Sequence, residues 1–417
     1  MPQLYSLLFA LSLTLINPWG KAHSQIWTQP KVLMVLLITG VNIAVIYRYW
    51  RKASFIIPSV WKIGFALWTL FLGIALITTL YSPFPGRSLW GQSLLGDGWL
   101  YWMLIAAFVL SNALVLSLQP VLMRAQLFGL IIGGAIVAIS VFLQVRYIPL
   151  SIYSNRGYAA FVLVGVALIT GLAWLWRWMQ SILAVVLFIS MGAALVYTQI
   201  RGGILALLVS VVYLLWRFAL NKVGKRVMLG CSIGTGGYLL LKASTVMQTL
   251  QSWETFSTGR LHLWALAFKG TLKRPLFGWG FDGLGIAFPF IADYTDRDWG
   301  YLLTKVAIAK IQSLSDLTFN YLGTDGHVYT GFLISNKAHN IFLDTTVSVG
   351  FLGLAIYTFL LGFCLWKTAR TPFCGIEAVP VAYLVYTLTW YESAQFSHLA
   401  WWSLSIGLSS IHSVKSG

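Results

Sequence analysis

Apolar runs of about 20 residues recur along the whole chain, and no other feature limits its fold so sharply, because about 20 such residues are what a helix needs to cross a bilayer. Spans are expected near residues 4–17, 31–47, 63–81, 99–117, 125–143, 158–176, 180–198, 203–217, 227–243, 340–366, 376–391 and 398–413. The fold class this predicts is all-α: a polytopic transmembrane bundle of about 12 spans with one large extracytoplasmic loop between late spans. The chain divides into an N-terminal bundle (1–243), the loop (244–339) and C-terminal helices (340–417). Composition agrees, with 58% hydrophobic residues, 9% charged residues and a mean hydropathy of +0.78. A soluble domain carries roughly 25% charged residues. The first run, Leu4 to Ile16, is followed by Asn17-Pro18-Trp19-Gly20 rather than a small-residue cleavage pattern, so it reads as a span and not a removed leader.

The charge pattern sets an expected orientation. The net charge is +17, which in a soluble protein would point to nucleic acid. No basic helix stands free of the spans, so lysines and arginines in cytoplasmic loops account for it, and no nucleic-acid partner is expected. One set of alternate connections holds Arg48, Arg51, Lys52, Lys62, Arg124, Arg177, Arg217, Lys222, Lys225, Arg226, Lys367 and Arg370 against the single acid Glu377. By the positive-inside rule these face the cytoplasm. Both termini then lie inside, and Ala243 to Ala338 lies outside. The acids agree: of 11 in the chain, seven fall between Asp282 and Asp344, namely Asp282, Asp293, Asp296, Asp298, Asp316, Asp325 and Asp344. Cys231, Cys364 and Cys374 fit neither a zinc site nor a disulfide framework.

Within the loop, Ser257 or Thr258 can cap a helix running to Lys273 before Pro275 ends it. Leu261, Trp264, Ala265, Phe268 and Leu272 share one face, with His262, Lys269 and Lys273 opposite, as in an amphipathic helix lying on the membrane or on the bundle. Arg260 falls at the edge of the apolar face and points inward. Tyr321 to Tyr329 reads as a hairpin around Asp325-Gly326. Asp293 to Lys310 reads as a partly helical lid.

Three cationic or basic positions fall on the expected outer side. Arg201 opens a span, Arg260 opens the loop helix, and His339 ends the loop. Two guanidiniums suit a diphosphate, and an imidazole can take a proton near neutral pH. A single arginine at a helix end is commonly a snorkelling anchor, so the residues alone leave both readings open. Arg146 and Arg156 are further candidates for binding sugar or phosphate, because charge near a span is costly without a role. Asp296-Arg297-Asp298, with Asp293 nearby, offers too few oxygens for a hard cation and reads as solvated loop, so no metal is expected. Glu392 and His398 flank the last outer connection as interfacial residues.

Three segments resemble the O-antigen ligase and polymerase superfamily. Thr258-Gly259-Arg260-Leu261-His262-Leu263-Trp264, followed by Arg274-Pro275-Leu276-Phe277-Gly278-Trp279-Gly280, is similar to the start of that family's large periplasmic loop. Lys337-Ala338-His339-Asn340-Ile341-Phe342-Leu343-Asp344, with Gly350-Phe351-Leu352-Gly353, is similar to the loop end and the span after it. Arg201-Gly202-Gly203 is similar to the opening of the preceding long helix. Weaker similarity lies at Ser88-Leu89-Trp90-Gly91 with Gly96-Asp97-Gly98, and at Asn155 to Phe161. The motifs come in family order over roughly residues 80–360. Ile200 departs from the serine or threonine that many members carry before the arginine.

The resemblance implies a bacterial inner-membrane glycosyltransferase. Its donor would be an oligosaccharide or polysaccharide on a polyprenyl diphosphate, moved with inversion to a hydroxyl of an acceptor glycan, lipid or protein, with no metal and no other cofactor. Arg201 and Arg260 would hold the diphosphate, and His339 would activate or orient the acceptor. A transporter or transport accessory for a small anion such as bicarbonate is the alternative. The absence of an inverted repeat and of charged pairs in mid-span argues against it.

Overall fold

The computed structural model describes residues 1–51, 56–143, 152–218, 259–291, 306, 308–333 and 335–410. Its helices are α1 (Pro2–Thr14), α2 (Gln29–Trp50, entered through a π-helical turn, Ser24–Thr28), α3 (Ser59–Leu80), α4 (Pro85–Trp90) and α5 (Trp99–Leu118). There follow α6 (Leu122–Leu143), α7 (Arg156–Leu175), α8 (Ser181–Thr198), α9 (Arg201–Phe218), α10 (Arg260–Lys273) and α11 (Gly283–Ile291). After three strands come α12 (Ile341–Thr368), α13 (Ala378–Thr387) and α14 (Ser397–Gly407). Among the described residues, eight helices are long and apolar enough to cross a membrane: the α2 unit, α3, α5, α6, α7, α8, α9 and α12. The chain is therefore a helical membrane protein. The run expected at 227–243 lies outside the described residues, as do Arg146, Cys231, Ser257, Thr258 and Asp293 to Asp298.

Helix α7 is the axis of the bundle. Nearly every residue from Gly157 to Ala173 is buried, so an apolar sequence without a polar face is what this position needs. Helices α6, α8, α9 and α13 pack around it. By contrast, α8 and α9 expose Ile182, Val185, Ile189, Val196, Leu205 and Leu208, the kind of face that lipid covers. Polar side chains bridge helices inside. Tyr5 donates to Asn42 at 2.7 Å, and Gln126 accepts from the Trp402 indole at 2.8 Å. Such bonds act as glue where hydrophobic force between helices is weak.

Helices α1, α13 and α14 have 13, 10 and 11 residues, shorter than the spans expected there. The α13–α14 connection explains much of the difference. Ser393 to Phe396 is non-helical yet fully buried. Its backbone is satisfied by protein: Ala394 N–H donates to Leu95 O at 2.9 Å, Gln395 N–H to Ser393 Oγ at 3.3 Å and Phe396 N–H to Ser393 O at 3.2 Å, while the Gln395 side chain donates from Nε2 to Ser154 Oγ at 2.8 Å and Thr28 Oγ1 at 3.1 Å. Irregular backbone inside a bundle is tolerated only where protein supplies those partners. Glu392 and His398 correspondingly do not sit at an interface, since His398 is buried and Glu392 lines an internal cavity.

The loop region departs from an all-helical reading through a small antiparallel sheet, β1 (Ile308–Leu314), β2 (Thr318–Gly323) and β3 (Val328–Phe332), in that order. The β2–β3 hairpin pairs Tyr321 with Tyr329 and Leu322 with Val328, as the Asp-Gly turn predicts. Asp325 holds that turn by accepting from His327 N–H at 3.1 Å and from the Tyr329 hydroxyl at 2.6 Å. Strand β1 occupies the last residues of the expected lid; apart from Val306, the rest of that lid lies outside the described residues.

Helix α10 ends at Lys273, just before Pro275, as expected, but its N-cap is Gly259, in the left-handed region, with no side-chain cap. Its buried face is Leu263, Leu266, Ala267, Gly270 and Thr271, packed on α11 and α12. Leu261, Phe268 and Leu272 are exposed. The helix is apolar on two sides, and the wheel singled out the outer one. Arg260 lies three and seven residues before Leu263 and Ala267, so it still belongs to the inward face.

Two of the sequence motifs meet at a kink in α12. Gly350 has φ 71°, and a Cβ there would lie 2.1 Å from Leu276 O. Breaking the helix at that point frees carbonyls, and the segment after α10 takes them up. Trp279 N–H donates to Val347 O at 2.9 Å, Gly280 N–H to Ser348 O at 2.8 Å, and Phe351 N–H to Pro275 O at 2.7 Å. The Pro275–Gly280 and Gly350–Gly353 segments are thus one joint that fastens the loop to the bundle.

Candidate functional site

Helices α7, α9 and α12 begin at the end of the bundle where α13 stops, and the residues that open them gather around the stretch Leu388–Tyr391. Asn155 caps α7 by accepting from Gly157 N–H at 2.8 Å, which sets Arg156 at its first turn. Gly157 lies against Trp390 so closely that a Cβ would come 2.3 Å from its Cζ2. At the start of α9, Gly202 faces Thr389, and a Cβ there would come 2.6 Å from Oγ1. Asn340 caps α12 and donates from Nδ2 to Leu388 O at 3.4 Å. Tyr386, near the end of α13, donates its hydroxyl to Gly157 O at 2.6 Å. Small residues beside the arginines let helix ends approach this connection, which explains the glycines of Arg156-Gly157 and Arg201-Gly202.

His339 sits in the same group. Its ring meets Tyr391 edge-on at 4.6 Å and Trp390 at 5.7 Å. The Arg260 charge is felt both by His339 and by Tyr386. Arg260 and His339 are therefore within reach of each other's charge, and the helix starts that carry Arg156 and Arg201 flank the same connection through Gly157 and Gly202. Arg156 and Arg201 are exposed, and Arg260 is half-buried. Among the described residues none of these three arginines forms an ion pair with a carboxylate. Burial lowers the Arg260 pKa, yet a guanidinium stays charged across the range of interest. The geometry yields a concentration of unpaired cations around an aromatic rim, which can receive an anion.

The hydrogen bonding of His339 fixes its tautomer. Its Nδ1 is 3.2 Å from Lys337 O. A carbonyl only accepts, so Nδ1 carries the hydrogen and Nε2 keeps its lone pair. Burial lowers its pKa to about 4; the Lys337 carbonyl opposes this and the Arg260 charge adds to it. The ring is neutral at neutral pH. The residue has φ 56°, a conformation that a non-glycine holds only when its surroundings fix it.

Behind this turn lies a second cluster that the sequence reading did not assemble. Lys337 pairs with Asp97 and lies 3.7 Å from Asp282 Oδ1. Arg87, on α4, donates to Asp282 Oδ2 at 2.7 Å and also pairs with Asp316. Asp344 Oδ1 accepts from Ala338 N–H at 2.7 Å. Glu392 accepts from the Tyr383 hydroxyl at 2.6 Å. A cavity of about 40 Å³ is lined by Asp97, Lys337, Asp344, Tyr357 and Glu392, among others. Burial lifts the Asp282 carboxyl to about 6 against the pull of Lys337 and Arg87, and it lifts Glu392 to about 8. Burial would lower the Lys337 amine, but Asp97, Asp282 and Asp344 outweigh it and hold the amine above its ordinary value. The signal available beforehand was scarcity: in a chain with 9% charged residues, each acid near a motif has to find a cation.

No protein family matches the chain, and no curated protein matches it.

Proposed function

We propose that the chain transfers or polymerises glycan carried on a polyprenyl diphosphate, at the outer face of a bacterial plasma membrane. The observation that carries this reading is a neutral histidine at one end of a membrane bundle with Arg260 beside it, where the helices opened by Arg156 and Arg201 also begin and where, among the described residues, none of these arginines pairs with a carboxylate. In this reading about 12 spans surround the site, both termini are cytoplasmic, and the region 244–339 is extracytoplasmic. The family resemblance of the Arg201, Arg260 and His339 segments supports it, as does the expected orientation from basic loops.

The chemistry follows from the residue types. Nε2 of His339 takes the proton of an acceptor hydroxyl as its oxygen bonds to the anomeric carbon. The bond from that carbon to the diphosphate oxygen breaks on the opposite face, which inverts the centre. The leaving diphosphate gains negative charge, and Arg201 and Arg260 stabilise it, with Arg156 within reach of the remaining phosphate or sugar oxygens. Phosphate is a good leaving group, so positioning and charge stabilisation are enough and no metal or other cofactor is needed. A bundle open to lipid gives the donor's tail a lateral entrance.

The test is mass spectrometry of surface glycoconjugates from a deletion strain rescued with wild type, Arg260→Ala or His339→Ala. Wild type restores the product and neither variant does. Full rescue by both variants would sink the reading. In the same experiment, loss of whole chains from an acceptor identifies a ligase, and shortened chains identify a polymerase.

A further inference from the structure

We propose that Lys337 is a positioning residue for His339, acting through a buried ion network that spans the bundle and the loop. This rests on the reading of His339 as the base. Three observations carry it. First, the segment from Ser335 to Asn340 is irregular, and His339 is in the left-handed region, so its geometry is set from outside. Second, what sets it is visible. The Lys337 carbonyl holds the imidazole hydrogen, Ser335 Oγ donates to that same carbonyl at 2.8 Å and accepts from Lys337 N–H at 3.1 Å, and Asp344 accepts from Ala338 N–H. Third, the Lys337 side chain points away from the site into the bundle, 8% exposed, and pairs there with Asp97 and Asp282.

Those two partners fix the lysine to different parts of the molecule. Asp97 stands at the entry to α5, where Gly91 and Gly98 touch: a Cβ on Gly91 would come 2.2 Å from Gly98 N. Asp282 lies between α10 and α11, has φ 62°, and is itself held by Arg87 of α4. A change in side-chain charge at Lys337 is thereby transmitted to the backbone oxygen that selects the histidine tautomer, much as an outer group orients a metal-bound imidazole. The charged and titratable groups around His339 are Arg260 from α10, Tyr386 from α13, Tyr391 and Glu392 from the α13–α14 connection, Asp344 from α12, and Lys337 with Asp97 and Asp282 behind it, with Arg156 and Arg201 opening the neighbouring helices α7 and α9.

The test uses full-length protein in right-side-out vesicles of the deletion strain, whose endogenous lipid-linked glycan is the donor, with transfer followed by mass spectrometry across pH. Lys337→Met should lower the rate on the order of 100-fold through misplacement of the base. It should also raise the acid limb of the rate–pH profile by about one unit, because the carboxylates lose a counter-cation. Lys337→Arg, which keeps the charge and the pairing, should return the limb to the wild-type position. Asp97→Asn leaves Lys337 in place but loosens it, and should give a smaller loss with amounts of inserted protein close to wild type. A Lys337→Met protein with an unmoved limb, or with wild-type rate, overturns the proposal. His339→Ala separates the two claims: if it retains activity, the base assignment itself fails. If it is inactive while Lys337→Met has wild-type rate and limb, only the positioning role fails.

Discussion

The two clusters of charge at this end of the bundle are built on opposite rules. Around Leu388–Tyr391 stand three guanidiniums with no carboxylate partner among the described residues, two of them exposed. Close by, around Lys337, two cations face five carboxylates, of which Asp97 and Asp282 are buried. Charge buried in pairs holds backbone in place, and breaking such a pair leaves an uncompensated ion. Charge left unpaired at an accessible edge does little for folding and is available to a ligand. The comparison therefore assigns binding and chemistry to the first cluster and geometry to the second: substitutions in the first should lower activity alone, and those in the second should act through the placement of His339 and the stability of the fold.

The largest effect is expected in the first cluster. Arg260→Ala or His339→Ala should reduce transfer by about 10²–10³-fold, the range for losing a group that meets developing charge. The melting temperature of the Arg260→Ala protein should hardly move, since among the described residues Arg260 has no ion pair with a carboxylate to lose. Arg260→Lys keeps the charge but not the fork, so its activity should stay well below wild type. A destabilised Arg260→Ala protein would break the comparison. In the second cluster a loss of stability is expected as well. Asp282→Asn takes a partner from both Arg87 and Lys337 and should cost about 3–5 kcal/mol of stability, measured by denaturation in detergent. An unchanged midpoint would mean that the network is incidental to folding.

The His339 titration sharpens the same contrast. Burial has lowered its pKa to about 4, so the folded protein keeps the base form available down to that pH. Transfer should stay level from pH 7 to about 5 and fall as pH drops through about 4. A histidine in an ordinary solvated setting would lose activity around its usual pKa of about 6.5. A rate that fell at that higher pH would mean that the ring is solvated during turnover.

How much of this was legible beforehand depended on whether the cause was local. Eight long helices followed from the bilayer ruler, and the hairpin followed from Asp325-Gly326. Arg201, Arg260 and His339 were found because each opens or closes an element, and element ends can be read from glycine, proline and capping residues. The Lys337 network was not legible as a unit. Arg87 and Asp282 are 195 residues apart and Arg87 and Asp316 are 229 apart, and nothing short-range couples them. The inner face of α10 was misassigned because both its sides are apolar, and only the packing on α11 and α12 decides between them. The short helices α13 and α14 were read as full spans because hydropathy cannot tell lipid-facing residues from those enclosed by protein. Buried Leu404 and Ile406 look the same to it as exposed Leu205.

The smallest expected effect tests whether the second cluster carries more carboxylate than it can neutralise. Glu392 has a raised pKa, from 4.5 to about 8, chiefly because it is buried, with Asp97 adding to the rise and the Tyr383 hydroxyl opposing it. A carboxyl whose folded value is raised binds its proton more tightly in the folded state than in the unfolded one. Its contribution to stability is fully present below pH 4.5 and is lost as pH rises through about 8. The melting temperature of wild type should therefore decline by a few degrees between pH 5 and pH 8. Glu392→Gln keeps an oxygen for the Tyr383 hydroxyl and cannot ionise, so its curve should be flatter and should lie above wild type at pH 8. If the two curves coincide, water or a neighbouring cation already neutralises Glu392, and the surplus of carboxylates around Lys337 exerts no force on the fold.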